Sequence, residues 1–266
     1  MKRYISVILG LFWLCLSSCS VKNDMTFCPC NLCVDFSQVP VSQTDDVFLS
    51  LSGKTGEGDD LSPVVSEYVN LMTGTKHFYT VPKDIVRICS VAQDGGLADP
   101  SGRLVIPLGS ECPRWLTYYD EIDCSDLDSA CDTVRLCRNH VVLHFAFKDN
   151  MGSVRTLEVR GEINGLDVHG QPSSGEFRAR CEPVGTENEF EVCIPRQTEE
   201  SFLTLDIRDE EGILKSFSLG DYIRDSGYDW TSSDLDDVDI VLDFVSNRLS
   251  LHARQWSEEK IFNLAL

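Results

Sequence analysis

Two β-sandwich domains in tandem are the fold this sequence predicts, and three observations predict it. Apolar and polar residues alternate with a period of two along most of the chain, turn-forming residues separate these runs, and a single short segment carries helical spacing. The length of 266 residues is enough for two ordinary domains, each burying its own core without help from a metal or cofactor. Hydrophobic residues at 42%, charged residues at 25%, 18 glycines and 10 prolines describe a folded chain rather than a disordered or collagen-like one.

The clearest alternation is Val238-Asp239-Ile240-Val241-Leu242-Asp243-Phe244, with Val238, Ile240, Leu242 and Phe244 on one face and the acids on the other. Half-buried strands of the same kind are predicted at Leu143–Phe147, Leu157–Ile163, Phe190–Ile194 and Leu203–Arg208. Asn164-Gly165, Asp209-Glu210-Glu211-Gly212 and Ser246-Asn247 are the turns between strands. Leu219, Tyr222 and Ile223 share a helical face, and Gly227 is placed to stop that helix. The N-terminal half is less regular, with strands expected at Leu32–Val39, Asp46–Ser52, Lys76–Val81, Ile85–Val91, Arg103–Leu108 and Pro113–Glu121. The acidic, small-residue stretch from Asp120 to Ser129 has the composition of a linker. It places the domains at 28–126 and 127–266, each with some seven antiparallel strands.

Charge excludes one class of partner. Lys and Arg number 23 against 43 Asp and Glu, and a formal charge of −20 repels a phosphate backbone, so nucleic acid is not an expected partner. The first residues give the compartment. Lys2 and Arg3 precede the apolar run Ile5–Leu16, which is too short to span a bilayer and reads as an export signal over residues 1–18. The run ends Leu16-Ser17-Ser18-Cys19, similar to a bacterial lipobox, so Cys19 is the expected lipidation site and residues 19–27 the lipidated tether. Each methylene of an acyl chain adds about 0.8 kcal/mol of membrane affinity. Removing residues 1–18 takes away the charges of Lys2 and Arg3 and leaves −22.

Cys15 leaves with the signal and Cys19 is occupied by lipid, so ten of the 12 cysteines remain: Cys28, Cys30, Cys33, Cys89, Cys112, Cys124, Cys131, Cys137, Cys181 and Cys193. An even number in an exported chain reads as disulfides, with connectivity left open. A zinc knuckle or redox pair at Cys28-Pro29-Cys30-Asn31-Leu32-Cys33 is the sharper alternative, but no second pair completes a zinc site and the segment runs into a strand rather than a helix. Phe177, Ala179 and Cys181 share one face of a strand, whereas Phe190, Val192 and Ile194 put Cys193 on the opposite face of its own, so Cys181 and Cys193 do not meet across a regular hairpin.

Catalytic signatures are thin, and no enzymatic activity is predicted. His140 and His144 have the spacing of a zinc-binding helix but lie in a strand, where four residues span roughly 13 Å. His77, His169 and His252 read as surface or packing residues, and the sequence has no phosphate loop and no nucleophile elbow. The run Asp234–Asp239 lacks the central glycine and distal glutamate of a calcium loop and reads as a solvated turn. Trp115, Tyr118, Tyr119, Tyr228 and Trp230 read as buried loop anchors, with sugar stacking by a surface glycan-binding protein as the alternative.

These residues carry a resemblance. The lipobox, a short spacer, Cys28-Pro29-Cys30 and then Leu32-Cys33-Val34-Asp35-Phe36-Ser37 resemble the start of FimB-type fimbrial anchor lipoproteins of Bacteroidota. Leu219–Ile223, Tyr228-Asp229-Trp230 and Asp236–Phe244 resemble that family's closing segment. The resemblance implies two transthyretin-like sandwiches, a lipid-anchored foot in the outer membrane, and a non-catalytic role in holding a fimbrial shaft and limiting its length, or in adhesion as an accessory subunit. Shaft pilin and other fimbrial subunits are the implied partners. Ser20-Val21-Lys22-Asn23 lacks the acidic run that often follows the lipidated cysteine of surface lipoproteins in this phylum. In related shaft pilins an arginine-specific protease removes the first strand, and a neighbour's strand fills the groove by β-augmentation. Between Cys19 and Arg87 this chain has no arginine, so its first strand is expected to stay, which favours an anchor over a shaft subunit. The closing alternation Phe262, Leu264, Leu266 predicts a terminal strand that either completes its own domain or enters a neighbour's groove, with closure of its own domain favoured.

Overall fold

The computed structural model describes residues 29–40, 45–53, 62–92, 98–148, 156–185, 188–208, 212–246, 248–253 and 259–263. The expected signal, Cys19, Cys28 and the last residues, 264–266, lie outside them. Two β-sandwiches follow one another, as the alternation predicts.

The first sandwich packs a three-stranded sheet on a five-stranded one. The small sheet has β1 (Cys30–Asp35) in the middle, antiparallel to β4 (Lys76–Val81) and parallel to β8 (Ser129–Thr133). The larger sheet runs β3 (Ser62–Asn70), β2 (Asp46–Gly53), β5 (Ile85–Ala92), β7 (Leu116–Asp123) and β9 (Cys137–Arg138). Cys30, Leu32, Val34 and Phe36 from the small sheet meet Leu49, Leu51, Val86 and Ile88 from the large one in the core between them. Alternation in burial vanishes on β2 because its second face is also covered. Phe48, Cys89 and Val91 face the connector residues Leu104, Ile106, Cys112 and Trp115, and Leu166 of the second sandwich joins the same cluster.

The second sandwich is built from two sheets that share a strand. One sheet runs β15 (Ile213–Phe217), β14 (Leu203–Arg208), β11 (Thr156–Leu166) and β12 (Pro172–Pro183); the other runs β13 (Glu189–Pro195), β10 (His140–Phe147), β16 (Val238–Asp243), β17 (Arg248–Ala253) and β18 (Lys260–Asn263). β12 belongs to both: up to Cys181 it pairs with β11, and Glu182 and Pro183 turn to pair with Glu191 and Phe190 of β13. Val141, Leu143 and Phe145 of β10, with Val238, Ile240 and Leu242 of β16, face Leu157, Val159, Leu203, Leu205 and Ile207 across the core. The helix α1 (Leu219–Ser226) buries Leu219 and Ile223 against that core and ends at Gly227, whose φ of 79° lets its amide reach the Arg224 carbonyl.

Several expectations are corrected. The boundary at residue 126 falls inside the first sandwich, because β8 and β9 both pair with its strands and the chain crosses over only between Arg138 and His140. The acidic stretch from Asp120 to Ser129, expected as a linker, instead ends β7 and turns into β8. The expected strand at Leu32–Val39 stops at Asp35, where the carboxylate accepts the Ser37 amide at 2.9 Å and turns the chain. The expected strand at Arg103–Leu108 is reduced to β6, Leu104–Val105, which leaves the first sandwich and pairs with Gly165 and Leu166 at the end of β11. Gly165 permits that docking, since a Cβ there would lie 2.0 Å from the Leu104 carbonyl oxygen. The two sandwiches are thus joined by an exchanged strand pairing as well as by the chain.

Candidate assembly site: the first strand and the domain junction

The geometry singles out two places, the strand β1 and the junction between the sandwiches. β1 carries three inward apolar side chains at every second position, Cys30, Leu32 and Val34, and Phe36 continues the row just past its end, which is what a central strand over a core requires. Its register is fixed on both sides: Leu32 lies opposite Tyr79 of β4 and Ala130 of β8, and Cys33 opposite Phe78 and Cys131. With both edges paired, removing β1 would open a groove one strand wide, floored by Leu49, Leu51, Val86 and Ile88.

At the junction, Asn139 leads into β10, which His140 opens, beside the start of β7. The ring Nδ1 of His140 lies 2.8 Å from the Trp115 carbonyl and donates to it, leaving Nε2 to accept from Arg138 at 3.4 Å. Burial pushes the His140 pKa down to about 4, with the Trp115 carbonyl opposing that shift and the Arg138 guanidinium adding to it. Arg138 is also paired with Asp237, whose carboxylate accepts the Val142 amide at 3.0 Å. Burial works to raise the Asp237 pKa, but Arg138 and the Val142 amide outweigh it and hold it below the usual carboxylate value.

Arg196 occupies the floor of a cleft of about 560 Å³ lined by Thr117, Asn139, Gln171 and Trp230. Its guanidinium is buried, and burial lowers its pKa. It donates to the Asn139 side chain and to the carbonyls of Trp230, Ser232 at 2.7 Å and Arg138 at 3.3 Å. Every donor aimed at the 230–233 loop is therefore already used in holding that loop against the junction, which is a structural role. The Cys137 thiol at the rim has its pKa raised by burial and makes a poor nucleophile. Among the described residues, no group of three or more His, Cys, Asp or Glu side chains could hold a metal ion.

The remaining sequence candidates fall as follows. His140 and His144 lie on one strand, as expected, and do not converge on one point. His77 sits 2.9 Å from the Gly74 carbonyl, His169 is 3.3 Å from Glu121, and His252 is 3.8 Å from Asp239 on the surface. Trp115, Tyr228 and Trp230 are buried, Tyr228 and Trp230 packing edge to face at 4.7 Å, and the Tyr228 hydroxyl donates to the Asp236 carbonyl at 2.6 Å. They anchor loops, and Tyr118 and Tyr119 are half-buried. Among the described residues the exposed aromatics are Tyr68, Phe78 and Phe202, which the sequence does not single out. Arg196 and Asn139 were also not legible, because their partners come from segments far away in the chain.

Among the nine described cysteines the structure contains no S–S bond. Cys181 is buried in the second core and Cys193 faces the connector cluster, so the two occupy opposite faces of their hairpin. Cys89 donates to the Gly102 carbonyl at 3.4 Å.

No family model matches the sequence, and no curated protein matches it. Solved structures share its fold. The fimbrial anchor protein Mfa2 from Porphyromonas gingivalis superposes with a TM-score of 0.59 at 11% identity, covering 86% of this chain and 98% of Mfa2. A candidate adhesin from Bacteroides ovatus gives 0.58 at 12% identity, over 90% and 96% of the two chains. A candidate polysaccharide-binding protein from Bacteroides thetaiotaomicron gives 0.57 at 12% identity, over 88% and 98%. The two-sandwich architecture is common to all of them over nearly their full lengths.

Proposed function

We propose that this protein is a non-catalytic lipoprotein of the outer membrane that anchors a fimbrial shaft and limits its growth. The observation that carries the reading is the first strand. β1 is a central, fully paired strand of the first sandwich, and no arginine lies between Cys19 and Arg87 at which an arginine-specific protease could cut it free. A subunit that keeps this strand has no groove to offer a neighbour in its N-terminal domain, so it can end a chain of strand exchanges but not continue it. Lipid on Cys19, eleven residues before Cys30, would hold that end at the membrane. The likeness of fold to a fimbrial anchor supports the reading. Shaft pilin and other fimbrial subunits are the partners it implies.

The test is Cys19→Ala in cells that assemble the fimbria. The variant is expected to lose labelling by palmitate, to leave the membrane fraction, and to release long fimbriae into the medium. Unchanged labelling would remove the lipid anchor from the proposal. Normal fimbriae retained on cells that lack the protein, together with binding of the purified protein to a glycan array, would replace anchoring by glycan recognition.

A further inference from the structure

Six of the nine described cysteines face one another in pairs across the fold. Cys33 and Cys131 are direct partners in the parallel ladder of β1 and β8. Adjacent strands lie about 4.8 Å apart, inside the Cα separation of about 4.4–6.8 Å that a disulfide spans. Cys30 and Cys124 are both fully buried, at 0% exposure, in the first core. The turn that carries Cys124 is fastened to the start of β1 by the Asn31 amide, which donates to the Asp128 carbonyl at 3.0 Å. Cys112 of the connector and Cys193 of β13 both point at one acceptor, the Pro113 carbonyl, at 3.4 and 3.6 Å.

We infer that Cys30–Cys124, Cys33–Cys131 and Cys112–Cys193 are disulfide pairs, the first two locking β1 into its own sandwich and the third stapling the connector to the second. The thiols agree with the geometry. The Cys33 thiol is pushed up to about 11 by burial and by the adjacent Cys131, and the Cys124 thiol up to about 12 by burial and by Cys30. Cys112 is raised by burial and by Cys193. In each pair one thiol, Cys33, Cys124 or Cys112, thus has its thiolate disfavoured beside its neighbour, as suits a structural position rather than a reactive one.

Closing each pair removes two protons and two electrons from two thiols and forms one S–S bond. The oxidant is a disulfide donor of the thiol–disulfide exchange class, whose own S–S bond breaks to a dithiol. A thiolate of the pair attacks a donor sulfur to give a mixed disulfide, and the second thiol displaces the donor. Cys131 is exposed and can be reached after folding, whereas Cys30 and Cys124 are sealed in the core and must close before the sandwich is complete.

The consequence is a first strand held covalently at two points. Strand exchange replaces one β1 by another, and a β1 bridged to β8 and to the end of β7 cannot leave. The inference rests on the contacts between thiols and does not need the fimbrial reading, although it would explain physically why such a subunit keeps its strand.

The test is chemical. A protease site is inserted after Pro40 in the full chain, made in an oxidising compartment and cut. On a denaturing gel without reductant the fragment ending at the cut is expected to remain joined to the rest of the chain and to separate only after reduction. In Cys30→Ala/Cys33→Ala it should separate without reduction. Separation of the intact-cysteine protein under non-reducing conditions would overturn the clamp, and would be the outcome if Cys30 and Cys33 bridged each other. Peptide mapping without reductant should join the peptide holding Cys112 to Cys193 and not to Cys181; free Cys112 or Cys193 in that map would overturn the third pair. Reductant should lower the melting temperature of the uncut protein by about 5–15 °C, and an unchanged melting curve would contradict all three.

Discussion

His140 is a histidine whose charge the fold excludes. It is 4% exposed, it donates through Nδ1 to a carbonyl, and its other nitrogen faces the Arg138 guanidinium, so a second proton would have to sit beside a positive charge. Its folded pKa of about 4 lies below the ordinary histidine value of about 6.5. The neutral form is therefore the folded one, its contribution is complete above about pH 6.5, and it is lost as pH falls towards 4. That difference corresponds to roughly 3 kcal/mol at its largest. Asp237 has the opposite charge and a depressed pKa, so its contribution is present above about pH 4 and is lost below that. The stability of the wild type, measured as a urea midpoint, is expected to fall between pH 6.5 and 4. His140→Gln should flatten that interval and leave the loss below pH 4, whereas Asp237→Asn should do the reverse. Parallel pH curves for the wild type and His140→Gln would show that this ring does not set the acid sensitivity of the junction.

At the scale of elements, the last strand settles a question the sequence poses. β18 pairs antiparallel with β17 of its own sandwich, Phe262 opposite Leu249, and its ring packs edge to face on Tyr222 of α1 at 5.7 Å. The described part of the segment closes its own domain. Deleting residues 261–266 is expected to destabilise the second sandwich by about 1–2 kcal/mol, since it strips a half-buried aromatic and an edge strand. On the proposed function it should also yield long, shed fimbriae. A truncated protein that melts like the intact one, in cells with fimbriae of normal length, would deny this strand both roles. Strands with one apolar face, such as β10, β14 and β16, were legible because apolar residues occur at every second position. β3 was not. It is an edge strand with most side chains exposed and Pro63 near a register shift, so no apolar alternation marks it. β8 was missed for a related reason: Ser-Ala-Cys-Asp-Thr is short and polar outward, and its pairing with β1 is decided by residues a hundred positions away. The candidate site divides the same way. The cysteines were visible as a set, but their partners depend on a register that no local pattern encodes. Arg196 gave no local signal because its acceptors are backbone carbonyls, which every sequence has.

For the molecule as a whole, the formal charge of −20 works against close approach of like copies at low ionic strength. What the fold offers instead is a line of connection running from the first strand through the junction into the second sandwich. Trp115 backs the first sandwich, its carbonyl takes the His140 ring, and β6 of the connector adds to the edge of β11. The position of β1 gives this line a mechanical meaning. It lies between an antiparallel and a parallel neighbour, so a load applied along the strand from the chain before Cys30 is shared by the hydrogen bonds of both ladders at once, as in a lap joint. A strand at the rim of a sheet, pulled across its length, would instead yield one bond after another, as a zipper does. If the tether of an anchored subunit carries the drag on everything attached beyond it, the middle of the small sheet is the place where that drag meets the greatest resistance. Pulling the reduced protein by its N-terminus against a handle at its C-terminus should therefore show extraction of β1 as a single abrupt event. A staircase of small yields at low force would mean the strand peels and the joint is not loaded in shear.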